Sequence, residues 1–244
     1  APRTDPSLMT GSRFDRVKKG RRKAALLYVG VASIALSGCS YFDANDHPLI
    51  ATTAALWPFN NADVSGRAEE ISFATIKFTQ DSRGGLLVLA EQQPGVTYWQ
   101  SGRSETVTLS RGYLSSTAGL KNNLDMTSLE GLSPAPEAST PFPGALDEPR
   151  SYRVIRQWRN ASSSQTKAMA ASAVLTCAEE TEVVELPLAR LPLLRCDETL
   201  DWVGAGTTRS VYWLAPDTHR IWKGRTEPWP GSPSFAWSVA RPWW

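Results

Sequence analysis

The residues able to do chemistry are few and widely spaced. Only two histidines occur, His47 and His219, and neither has cysteine or carboxylate partners at metal-ligand spacing, so the reading assigns no metal. The motif G-x-S-x-G, the phosphate loop, G-x-G-x-x-G and H-E-x-x-H are all missing from the sequence, which removes the commonest signatures of hydrolase, nucleotide and zinc-protease chemistry. The carboxylates Glu179, Glu180 and Glu182 have the composition of a glycosidase pair. That mechanism needs two carboxyl groups roughly 5–10 Å apart about a sugar, and on a polar turn such a run is a solvated face instead. No catalytic residue is assigned, and the expectation is a protein that is not an enzyme.

The three cysteines are more informative. Leu36-Ser37-Gly38-Cys39 follows an apolar run from Ala24 to Leu36, which itself follows a basic segment. Residues 1–23 hold eight basic and two acidic residues, whereas the rest of the chain has 18 basic and 22 acidic ones. A basic n-region, a short apolar h-region and small residues before a cysteine make a signal peptide. The tetrapeptide looks like a bacterial lipobox. That likeness implies cleavage between Gly38 and Cys39, a diacylglycerol and an acyl chain on Cys39, and no other cofactor; several acyl chains anchor a protein stably where one does not. Ser40, in place of the aspartate of enteric inner-membrane retention, points to the outer membrane, facing the periplasm. The compartment is oxidising, so Cys177 and Cys196 are expected to form a disulfide. The formal net charge of +2 argues against a nucleic-acid partner.

Ten tryptophans in 244 residues invite a second kind of site. Aromatic faces stack on sugars at low entropic cost, and Trp99, Trp213 and Trp222 could line a glycan groove; equally, they could fill a core. Trp229, Trp237, Trp243 and Trp244 fall within the last 16 residues, where they could pack on the domain, meet a partner or sit at a membrane surface.

The elements that would position these residues are strands. Residues 71–78 alternate apolar and polar side chains, and turn signals then separate short apolar runs at 86–90, 96–99, 105–109 and 113–117. A loop with five prolines spans 133–149. Further strands are expected at 151–158, at 168–176 and 182–186 about a polar turn, at 210–214 and 220–223 about Pro216-Asp217, and at 235–239. Residues 49–57 suggest a short helix. Tyr98-Trp99 and Tyr212-Trp213 sit in similar hairpin contexts, the mark of either a duplication or convergence. The division is therefore a signal peptide at 1–38, the lipidated cysteine and tether at 39–65, and a mostly β domain at 66–244.

Several of these stretches resemble the YjbF/GfcB family of bacterial lipoproteins. They are Phe73-Ala-Thr-Ile-Lys-Phe78, Leu86-Leu-Val-Leu-Ala90, Tyr98-Trp99 with Arg111-Gly112 and Thr117-Ala-Gly-Leu120, Val211-Tyr-Trp-Leu-Ala-Pro-Asp217, Ile221-Trp-Lys223 and Val239-Ala-Arg-Pro242. The resemblance implies a single domain of coiled, bifurcated antiparallel sheets built from hairpins. It also implies a role in exopolysaccharide or group 4 capsule export; the expected partners are the membrane, through the lipid anchor, and polysaccharide and export-machinery proteins. The alternatives are an enzyme acting on glycan or peptidoglycan and a purely structural envelope lipoprotein.

Overall fold

The computed structural model describes residues 64–102, 104–132, 140–142, 144, 146–160 and 165–244. The expectations for the signal peptide, Cys39, the tether, the helix at 49–57 and His47 lie outside the described residues, as does most of the proline-rich loop.

A period of two side chains puts alternate residues on opposite faces of a strand, and the chain obeys it almost throughout. Among the described residues a short helix, α1 (Val64–Glu70), precedes twelve strands. They are β1 (Thr75–Gln80), β2 (Arg83–Gln93), β3 (Val96–Gln100), β4 (Thr106–Ser110), β5 (Tyr113–Ala118) and β6 (Asn122–Glu130), then β7 (Arg150–Asn160), β8 (Lys167–Glu185), β9 (Arg190–Trp202), β10 (Gly206–Leu214), β11 (Ile221–Thr226) and β12 (Phe235–Arg241). All pair antiparallel in one sheet of order β5-β4-β3-β2-β1-β12-β11-β10-β9-β8-β7-β6. The first and last strands are hydrogen-bonded together, and the sheet edges fall in mid-chain, at β5 and β6. Those edges meet where the Leu124 amide donates to Thr117 Oγ1 at 2.9 Å. The result is a barrel that is closed except for one missing ladder, which leaves little free edge to pair with another chain.

The inward positions supply one core, including Ile76, Phe78, Trp99, Val107, Leu124, Val154, Leu200, Tyr212 and Trp237. Phe142 and Leu146, from the proline-rich loop, join it. A second cluster lies on the outer face, where Val64, Ala68 and Ile71 in and beside α1 cover Leu86, Val88 and Ala240. Covering on both faces is why Leu86, Leu87 and Val88 are all buried in succession. At Gly224 the Trp237 indole lies so close that a Cβ would come within 2.2 Å of the ring. The larger residues of a strand position are thereby excluded.

The helix α1 opens the domain ahead of its strands. Three expectations change. The strands β6 and β9 were not anticipated. The expected turn between 176 and 182 is a bulge, with a register shift between Cys177 and Thr181, inside a continuous 19-residue β8. The real turn of that hairpin is at 186–189, closed by the Leu186 amide donating to the Ala189 carbonyl at 2.8 Å. Finally, Trp99 and Tyr212 face inward while Tyr98 and Trp213 are only partly buried. The two Tyr-Trp pairs thus have opposite facing, which the duplication reading does not allow.

Candidate functional site

Among the described residues, two places concentrate polar groups: one sealed inside the barrel and one open on its outer face.

Inside, Glu198 of β9 is fully buried and accepts hydrogen bonds from three tyrosines. Tyr113 donates to Oε1 at 2.9 Å, Tyr212 to Oε2 at 3.0 Å, and Tyr152 also to Oε1. Arg156 of β7, also buried, donates through Nη2 to the Tyr113 hydroxyl at 2.9 Å and through Nη1 to the Pro228 carbonyl at 2.8 Å. The guanidinium and carboxylate are therefore bridged by a phenol. Burial pushes the three tyrosine hydroxyls above their ordinary pKa, and the Glu198 charge adds to this; at Tyr113 Arg156 opposes part of the rise. At Arg156 burial works against the cation, but the neighbouring Tyr113 and Glu198 outweigh it and strengthen its hold on the proton. The cluster fixes β5, β7, β9 and β10 relative to one another, and the Pro228 bond extends that hold to the loop before β12. The indole of Trp229 in that loop stacks on Trp158, with centroids 5.4 Å apart. Buried as they are, these groups meet no dissolved substrate, so their work is structural.

Arg156 and Glu198 escaped the sequence reading, although a signal existed. Tyr152, Val154, Arg156 and Trp158 share one strand face, as do Cys196, Glu198, Leu200 and Trp202. Strict alternation therefore places one cation and one anion inward.

The sequence-singled residues scatter. Trp99 is fully buried and donates its Nε1 hydrogen to Thr97 Oγ1 at 2.9 Å. No sugar can reach its face, so it leaves the set of glycan-facing tryptophans. Its far side meets Trp243, which in turn packs edge-on against Trp244, and Trp244 against Trp222. The terminal tryptophans thus span from β3 to β11. Trp213 and Trp222 are partly buried and pack against Val184, Leu186 and Leu193 of the β8–β9 arm. The Trp213 indole also donates to Glu182. That contact gives Glu182 a structural partner, while Glu179 and Glu180 are exposed on the bulge. Cys177 and Cys196 face each other across β8 and β9 and form a disulfide. His219 lies in the β10–β11 turn with φ of 52°, and the described residues contain no cluster of three or more metal-ligating side chains.

The open site follows from small residues on β12. Its outward positions include Ala236, between Thr79 and Arg225, and Ser238, between Lys77 and Lys223. This leaves a groove of about 510 Å³ over β1, β12 and β11. Ala236 and Ser238 line its floor, Lys77, Thr79 and Lys223 its sides, and the start of α1 and the 185–187 tip of the β8–β9 arm its ends. The volume falls within the roughly 300–1,000 Å³ of small-ligand sites. Trp213 is paired with the lining residue Lys223 across the β10–β11 ladder. Trp213 and Trp222 therefore brace the arm that walls the groove.

A family model described as group 4 capsule polysaccharide lipoprotein gfcB, YjbF matches residues 62–234. Among solved structures, the crystal structure of the hypothetical lipoprotein YmcC from Escherichia coli K12 is similar in fold, with a TM-score of 0.58 at 13% identity. The likeness covers 75% of this chain and 91% of that one. No curated protein sequence matches.

Proposed function

Because the chain belongs to the YjbF/GfcB family of group 4 capsule polysaccharide lipoproteins, we infer that it assists exopolysaccharide or capsule export by binding and not by turnover. The observation that carries this reading is the outer-face groove, floored by Ala236 and Ser238 and edged by Lys77, Thr79 and Ser82. Hydroxyls and amines at the rim of an open cleft suit a hydroxyl-rich polymer, whose many weak contacts hold without trapping. The ionisable cluster of the interior is sealed and serves the fold. In this reading lipid on Cys39 holds the domain at the outer membrane, facing the periplasm, where the groove engages glycan and neighbouring surfaces engage export-machinery proteins.

Deleting the gene should lower surface or secreted polysaccharide while leaving its precursors intact. Purified protein should bind the polymer and leave its chain length unchanged over hours. Progressive shortening of the polymer would replace this reading with an enzymatic one.

A further inference from the structure

The groove carries a charge pattern that the binding reading alone does not require. Lys77 of β1, Ser238 of β12 and Lys223 of β11 are direct partners across two adjacent ladders. Neighbouring strands lie about 4.8 Å apart, so the two lysine stems rise about 10 Å from each other on either side of a hydroxyl. Both lysines line the groove. Neither has a carboxylate partner in an ion pair among the described residues. Lys223 Nζ instead sits 4.9 Å from the centre of the Trp213 ring, which steadies the ammonium without neutralising it.

The groove's two acids, Asp81 and Glu185, lie in its lining, and each has a partner. Glu185 pairs with Arg190 at 3.5 Å. Asp81 Oδ1 accepts the Ser234 amide hydrogen at 2.9 Å. Arg225, next along β11 on the same face, is held on Ser234 Oγ at 3.2 Å. Two ammonium groups without an ion-pair partner thus flank the Ser238 hydroxyl on the groove floor.

We propose that this groove takes an acidic glycan, with Lys77 and Lys223 receiving the carboxylates of uronic-acid-type residues and Ser238, Thr79 and Ser82 bonding the ring hydroxyls. The assignment rests on the binding reading above and narrows its ligand class. The walls formed by α1 and the arm tip favour a thin polymer over a flat lipid surface.

The test is calorimetric titration of the full-length mature lipoprotein in neutral detergent with an oligogalacturonate, a size-matched maltooligosaccharide and anionic phosphatidylglycerol micelles. The oligogalacturonate should bind about tenfold or more tighter than the neutral sugar. Its affinity should fall as salt rises from about 50 to about 500 mM. The Lys77→Gln/Lys223→Gln variant should lose about tenfold or more for the uronate alone, with an unchanged melting temperature. Arg209→Gln, on the outer face of β10, should bind like wild type. Equal binding of acidic and neutral sugars, unaffected by the lysine changes, would overturn the charge assignment while leaving glycan binding in place. Binding of neither sugar would overturn both. Lysine-dependent binding to the lipid alone would make the groove a membrane contact and overturn the proposal.

Discussion

Replacing Glu198 with glutamine probes the interior most sharply. The side chain keeps its shape but loses its charge, while Tyr113, Tyr152 and Tyr212 still point three hydroxyls at it. One of its two oxygens becomes an amide donor, so at least one phenol must turn. Arg156 remains buried and charged, with the anion that balanced it removed. Breaking a buried charge pair by deleting one partner costs about 3–5 kcal/mol. For a domain of this size each kcal/mol lowers the melting temperature by about 2–4 °C, so the variant should melt about 6–20 °C below wild type. Near-ultraviolet circular dichroism during a thermal scan at pH 7 reads this directly. The double variant Arg156→Met/Glu198→Gln should lose less than the two single losses added together, because it removes both charges at once. A Glu198→Gln melting temperature within about 2 °C of wild type would refute the idea that the buried charge pair holds the barrel.

Other outcomes follow from the same packing and sequence. Burial raises the hydroxyl pKa values of Tyr113, Tyr152 and Tyr212 in the folded state. Their stabilisation is thus complete below the unfolded value of about 10 and is lost as pH rises beyond it; absorbance at 295 nm should show these tyrosines ionising together with unfolding and not before it. Reducing the Cys177–Cys196 bridge, which spans 19 positions, should lower stability by about 3 kcal/mol in denaturant titrations with and without reductant. Cys39→Ser should abolish palmitate incorporation and leave the precursor uncleaved, as seen by labelling and gel mobility.

The sequence made most strands legible because apolar alternation and turn residues repeat along the chain. What it hid has physical reasons. The β6 strand is an edge strand with few apolar residues, Asn122-Asn-Leu-Asp-Met-Thr-Ser-Leu-Glu130. In β9, Pro192 and a series of charged residues mask the inward set Cys196, Glu198, Leu200 and Trp202. The polar run at 179–182 reads as a turn because a bulge and a turn share composition; only the partner strand tells them apart. Trp99 shows the limit for single aromatics: a tryptophan in a hairpin has the same sequence whether its face meets sugar or core. The groove was invisible for another reason. It depends on Lys77, Ser238 and Lys223 meeting across strands joined at opposite ends of the domain, and no local pattern records that pairing.

If the domain works by holding glycan in the outer-face groove, hydrogen–deuterium exchange of the purified lipoprotein, with and without surface polysaccharide from its own cell, will register it. Exchange should slow only in β1, β11, β12 and the 185–187 tip, with polymer length unchanged. Polymer shortening, or protection that leaves those segments untouched, would contradict it.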